Sequence, residues 1–377
     1  MNVLIDVRLL MSGGLSGVQE YTREIVNQLL KKSENRYQLF YNGVRKRPLP
    51  KEWIKRNNAA VIDWKIPNRL LDFSVRTFGR PQIDCRIKTD LVFSPHFNIL
   101  KSKNTPRIIT FHDLSFIHHP YFFSLKQIFW NWLQNYKAQA KEASKIIADS
   151  EFTKSDLINE LEIPEEKISV VYPGINPLFR KLERSHRELR AFQTKHSINF
   201  PYLLYLGTLE PRKNIPAVIR AFSHLKNSAT FRDLKLIIAG RTGWLYENIL
   251  KEARASKYKS DIIFWGPVEN RDRLFLYNLA ETFVYPSFFE GFGFPPLEAQ
   301  ACGCPAVVSD RTSLPEVVAD SALLINPWKI RDLKEALEEI LTKESVRSKL
   351  IKTGFLNIKR FSWEKTTSQI LQTFNAG

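Results

Sequence analysis

Short runs of β-branched and aromatic residues alternate along the chain with stretches whose apolar positions recur at helical spacing, the pattern of an α/β protein built on parallel sheets. In the first half the predicted strands are 3–5, 37–41, 91–93, 107–111, 145–148 and 169–172. Between the first two, Val18, Tyr21, Ile25, Val26 and Leu29 fall on one stripe of a helix. Tyr172-Pro173-Gly174 reads as a closing turn, and residues 175–200 are polar and poorly periodic. The pattern restarts with predicted strands at 202–206, 234–239, 262–265, 282–285 and 306–309, and a helix from Asn214 to Lys226 follows the loop at Gly207. Residues 330–374 read as helical with Gly354 as a break.

The expected organisation is therefore two Rossmann-like, doubly wound domains facing across a cleft. They span 1–180 and 201–355, with a linker at 181–200 and a C-terminal helix at 356–377 that packs back on the first domain. Ligands of such sheets bind beyond the carboxyl ends of the strands, so the strand-to-helix loops hold the informative residues.

Composition narrows the class. A chain of 377 residues with 44% hydrophobic and 25% charged residues is ordinary globular protein, neither disordered nor fibrous. No apolar run reaches the roughly 18–20 residues of a membrane span, and Asp6 and Arg8 interrupt the apolar start as they would in a buried strand rather than a signal peptide. Cys85, Cys302 and Cys304 suggest no disulfide framework, in keeping with a cytoplasmic chain.

Charge adds a second theme. The net charge is +17, and residues 31–107 carry 18 Lys and Arg against 6 Asp and Glu. Such a surface attracts anionic membrane, nucleic acid or a phosphorylated substrate, or is simply a solvated basic face. The aromatic stretch from Pro120 to Trp132 reads either as a core helix or as an interfacial surface whose Phe and Trp enter a headgroup region.

The stretch Tyr285-Pro286-Ser287-Phe288-Phe289-Glu290-Gly291-Phe292-Gly293-Phe294-Pro295-Pro296-Leu297-Glu298-Ala299 runs from a strand through two glycines into a helix opened by prolines. Gly291 and Gly293 allow close backbone approach, and the helix N-terminus suits phosphate. Glu290, before the glycines, and Glu298, read as lying in the first helical turn, are acceptors suited to paired sugar hydroxyls. The loop Gly207-Thr208-Leu209-Glu210-Pro211-Arg212-Lys213-Asn214 brings Arg212 and Lys213 as a phosphate-gripping pair. In the first half, His112 ends a strand and is followed by Asp113; both are site candidates. His96 reads either as an acceptor contact or as packing. His118 and His119 lack zinc-ligand spacing.

These two stretches, E-P-R-K-N and E-G-F-G-F-P-P-L-E-A, resemble retaining glycosyltransferases of the GT-B fold, family 4 (group 1), in their mannosyl- and rhamnosyltransferase-like members. The likeness extends to the glycine loop from Gly13 to Glu24, to Ile109–Phe116 and to Phe361-Ser362-Trp363. It implies an N-terminal acceptor domain and a C-terminal domain for a GDP- or UDP-linked sugar. Arg212 and Lys213 would neutralise the departing diphosphate, Glu298 would hold the ribose diol, and Glu290 and His112 would contact the transferred sugar. Gly14 and Gly17 would approach the diphosphate, while Gly207, Gly266, Val268, Gly291, Phe292, Gly293, Phe294 and Leu297 would line the donor; His96 and Asp113 would touch the acceptor. No metal or cofactor is implied, only the nucleotide-sugar co-substrate. The partners implied are a glycan or lipid-linked acceptor and the anionic inner face of the cytoplasmic membrane, with no nucleic acid. Alternatives are a sugar-nucleotide epimerase of the same fold and a non-enzymatic polyanion-binding protein.

Overall fold

The computed structural model describes residues 1–12, 16–44 and 47–375. The chain forms two compact α/β units. The first holds seven parallel strands, β1 (Asn2–Asp6), β2 (Arg36–Phe40), β3 (Ala59–Ile62), β4 (Leu91–Ser94), β5 (Arg107–Phe111), β6 (Lys145–Ala148) and β7 (Ile168–Val170), in the order β3-β2-β1-β4-β5-β6-β7. The second holds β8 (Tyr202–Leu206), β9 (Lys235–Ala239), β10 (Ile262–Gly266), β11 (Thr282–Tyr285), β12 (Ala306–Ser309) and β13 (Leu323–Ile325), ordered β10-β9-β8-β11-β12-β13. Both orders reverse beside their first strand, which opens the ligand crevice of a doubly wound sheet at the carboxyl ends. Covering helices bury both faces of each sheet. The interior strands are accordingly buried along their whole length: every residue of β5 and β8 is buried, including Arg107 and Thr110 of β5.

Two strands escaped the sequence reading. Both are edge strands: β3 (AAVI) has four residues, none fully buried, and β13 (LLI) has three, of which only Ile325 is buried, so each is a short and partly exposed apolar run. Two further expectations are corrected. The stretch 181–200 is not a plain linker: helix Arg187–Lys195 lies within it and buries Leu189 and Phe192, the latter packing on Trp265 and Phe275 of the second unit. Gly354 does not break a helix but sits inside Glu344–Asn357, where an added Cβ would lie 3.2 Å from Gln300 Cγ; its lack of a side chain lets two helices approach. The actual interruptions fall at Lys343 and at 358–362.

The first unit is discontinuous in sequence. It takes residues 1–120 and 125–174 and regains the chain from Ser362, whereas 121–124 and 175–361 belong to the second. Helix Trp363–Asn375 is fastened by Thr366 Oγ1, which donates to Tyr172 O at 2.7 Å, and by packing of Phe374 on Phe93. Gly174 is needed at this seam, because a Cβ there would fall 2.2 Å from Trp363 N.

Candidate active site

Parallel strands all end at the same edge, so loops far apart in sequence meet there. In the second unit the loop after β8 and the loop after β11 are laced together by Phe288 N, which donates to Arg212 O at 2.9 Å. This brings Arg212, Lys213 and Glu290 into one cluster. Lys213 Nζ donates to Glu290 Oε1 at 2.6 Å and to Tyr285 Oη at 2.9 Å. Arg212 Nη1 donates to Glu290 Oε2 at 3.2 Å and to Phe289 O at 2.9 Å, while its Nε and Nη2 reach Glu210 Oε1 at 3.1 and 2.9 Å. Two cations thus face two carboxylates, all but Arg212 less than a tenth exposed. Burial pushes the Glu290 carboxyl up, but Lys213 and Arg212 outweigh it and hold it down at about 2. Burial, reinforced by Arg212, lowers Lys213 from the ordinary lysine range against the pull of Glu290 and Glu210. Glu290 is accordingly ionised near neutrality.

The glycine loop is tied from behind. Thr312 Oγ1 accepts from Glu290 N at 3.0 Å, and Ser313 Oγ donates toward Glu290 O and Phe292 O, each at 2.9 Å. Gly293 precedes helix Phe294–Ala301 with φ +115°, a conformation open chiefly to glycine. Phe292 and Phe294 pack edge to face, and Leu297 is wholly buried. Gly207 follows β8, donating N–H to Ala239 O; Gly266 ends β10, accepting from Gly240 N; and Val268 follows, half-buried, before helix Asn270–Leu279.

Glu298 stands apart from that cluster. It lies one turn deeper in its helix than the sequence reading placed it, 2% exposed, and its carboxylate is held by Arg273 Nη2 and by Tyr277 Oη at 2.9 Å. The four predicted charges therefore form two groups: Arg212, Lys213 and Glu290 in one, Glu298 with Arg273 in the other. Arg273 also packs its guanidinium over Phe179 at 5.1 Å.

In the first unit His112 follows β5 and is 9% exposed. Nδ1 lies 2.5 Å from Asp149 Oδ2 and Nε2 lies 2.8 Å from Pro95 O. A carbonyl only accepts, so Nε2 carries a proton; a second proton is shared with Asp149. Burial lowers the imidazole, yet Asp149 more than compensates and His112 ends above its ordinary value. His96 stacks between His112 and Trp130, at 5.9 and 5.8 Å, and burial holds it neutral with a value of about 3. Asp113 Oδ1 accepts from Ser115 N and Oγ at 3.0 and 2.6 Å and so caps the turn Ser115–His118. Gly17 opens helix Gly17–Leu29, capped by Ser16 and Gln19; Gly14 lies outside the described residues.

Sequence reasoning missed Glu210, Tyr285, Arg273, Tyr277, Asp149, Thr312 and Ser313. Glu210 stood within the quoted E-P-R-K-N, and Arg273 and Tyr277 are four apart on one helix face, a visible signal. The others are joined only by folding.

Residues 15–178 match the model of Glycosyltransferase Family 4, and residues 187–357 match that of glycosyl transferases group 1. O-antigen chain mannosyltransferase B of Escherichia coli is 32% identical over 269 residues, covering 71% of this chain and 69% of that protein. The chain belongs to the group 1, family 4 glycosyltransferases. Serotype-specific mannosyltransferase WbdA of Escherichia coli is 30% identical to this glycosyltransferase over 247 residues; the match covers 65% of this chain and 30% of WbdA. The fold is GT-B. HepE of Anabaena, in complex with UDP and glucose, superposes with a TM-score of 0.74 at 17% identity, with 100% of both chains covered.

Proposed function

We propose that this glycosyltransferase moves a hexose or deoxyhexose, with mannose from GDP-mannose favoured, onto a glycan or lipid-linked glycan during cell-surface polysaccharide synthesis. The observation that carries the reading is the buried convergence of Arg212, Lys213 and Glu290 at the strand ends of the second unit. Two mannosyltransferases among the relatives support the choice of sugar, and the UDP complex of HepE supports a nucleotide diphosphate in this fold.

In this reading Arg212 and Lys213 stabilise the charge that develops on the departing diphosphate, a role otherwise open to a metal. Glu290 keeps both cations aimed and accepts from hydroxyls of the transferred sugar. Glu298, fixed by Arg273 and Tyr277, accepts from the ribose diol. Backbone N–H groups of the loop from Gly291 to Phe294 approach the sugar and phosphates. His112 Nε2, held only by a carbonyl, would exchange Pro95 O for a sugar hydroxyl. Transfer occurs with retention: the bond from C1 to the phosphate oxygen breaks, the acceptor oxygen bonds to C1 on the same face, and its proton passes to the leaving phosphate. No protein nucleophile is invoked. The acceptor is presented at the inner face of the cytoplasmic membrane, where the basic first unit is attracted.

Thermal shift and transfer assays with GDP-mannose, GDP and UDP-glucose test this. Ligand at a hundredfold excess over its dissociation constant stabilises by about 2.7 kcal/mol. GDP-selective stabilisation and mannose transfer with retained anomeric configuration are expected. Selectivity for UDP overturns the donor, and an inverted product overturns the mechanism.

A further inference from the structure

The sequence left the aromatic stretch after Pro120 open between core and interface. The structure divides it: Trp130 packs inward, while helix Leu125–Gln134 turns Leu125, Ile128, Phe129 and Trp132 outward. These four positions follow the i, i+3, i+4, i+7 spacing of one helical stripe, a stripe that ordinarily faces a core. Here it faces solvent, with Leu125 85%, Phe129 61% and Trp132 54% exposed.

The neighbouring helix Asn68–Phe78 repeats the arrangement. Leu71 and Val75 are buried, and Leu70 and Phe73 are exposed. Two contacts join the helices. On the inner side Gln134 Nε2 donates to Asp72 Oδ2 at 3.2 Å; on the outer side the Arg76 guanidinium lies over the Trp132 ring at 4.8 Å. Arg76 is one turn from Phe73, and Trp132 one turn from Phe129, so the two stripes make one patch.

The ionic groups of this patch have a single sign. Neither helix exposes a carboxylate, because Asp72, the sole acid in both, is buried against Arg8 at 3.0 Å. Arg69 and Lys126 are exposed, and Arg76 is half-buried. Large apolar side chains interleaved with basic ones, with no acid among them, match a surface with an apolar interior and an anionic rim. A second copy of the chain would bring the same cations against these.

We infer that the exposed faces of helices Asn68–Phe78 and Leu125–Gln134 form a docking surface for anionic phospholipid bilayers. Phe129, Trp132 and Leu125 enter the headgroup region, and Arg69, Arg76 and Lys126 meet lipid phosphates. The purpose of docking rests on the reading that the acceptor is presented at a membrane; the docking chemistry does not.

Flotation of the full chain with vesicles of phosphatidylcholine alone, or of phosphatidylcholine with phosphatidylglycerol, tests it. Expected is selective binding to the anionic vesicles that falls roughly tenfold in Phe129→Ser/Trp132→Ser and in Arg69→Gln/Lys126→Gln. All four side chains are exposed, so the nucleotide-induced thermal shift should be unchanged. That shift reports separately on the donor reading: its absence in the wild type would sink the donor and leave the docking result standing. No binding by wild type, equal binding to both vesicles, or binding undiminished in the variants overturns the inference. So does a self-association that Phe129→Ser/Trp132→Ser abolishes without any effect on vesicles.

Discussion

Asp149 Oδ2 lies 2.5 Å from His112 Nδ1 at the carboxyl edge of the first sheet, with Pro95 O closing off the other ring nitrogen. Burial raises the Asp149 carboxyl and lowers His112, but their attraction dominates at the histidine, so the pair keeps its proton above the ordinary imidazole range. A group raised on folding contributes stability that is complete below its unfolded value of 6.5 and lost as pH rises through the folded one. Stability should therefore fall as pH rises above 6.5. Asp149→Asn should remove that limb, leaving a neutral His112, as ring resonances followed by NMR through a titration would record. An unchanged alkaline limb would rule out the shared proton as its source.

Glu290 has the opposite sign. Held at about 2 against an ordinary 4.5, it contributes stability present above 4.5 and lost as pH falls toward 2. Lys213→Ala leaves this carboxylate with Arg212 as its neighbouring cation and should cost about 3–5 kcal/mol, as for other broken buried pairs. Chemical denaturation at pH 7 measures it. Glu290→Gln keeps the shape and should lower turnover by about 100-fold or more through misdirected cations. Near-normal transfer by this variant would remove Glu290 from the site.

Arg273 is predicted to act on donor affinity. Arg273→Met removes the guanidinium that clasps Glu298 while leaving Tyr277 Oη on the carboxylate. KM for the donor should rise by about tenfold or more with a smaller effect on kcat, since ribose binding is shared by ground and transition states. A pure kcat effect would contradict that role.

The glycines of the strand-to-helix segments should differ sharply among themselves. An alanine Cβ at Gly240 would stand 1.8 Å from Gly207 O, and one at Gly293 2.7 Å from Leu314 Cδ2, whereas at Gly266 it meets nothing within 4 Å. All three have positive φ, so each alanine carries a backbone cost of about 1–2 kcal/mol. Gly266→Ala should show only that. Gly293→Ala should add the cost of shifting a leucine, and Gly240→Ala, facing backbone, should be the most destabilised in thermal melts.

The alternation of apolar runs with helical stretches was enough to predict two parallel-sheet units, and the E-P-R-K-N and double-glutamate stretches named Arg212, Lys213, Glu290 and Glu298, because both signals are local. Periodicity reports which face a residue presents, and turn residues report where an element stops. Which charge meets which is decided otherwise. Glu290 lies 77 residues from Lys213, His112 37 from Asp149 and Glu298 25 from Arg273, and nothing in the intervening chain records those meetings. The first two arise because parallel strands deliver their loops to one edge in sheet order, not chain order, and the third because helices Asn270–Leu279 and Phe294–Ala301 pack together. The same limit explains the helix hidden in 181–200, read as a linker because its nine residues bury only Leu189 and Phe192. It also explains the outward stripe at Leu125 to Trp132: periodicity identifies an apolar face, and only packing determines whether anything covers it.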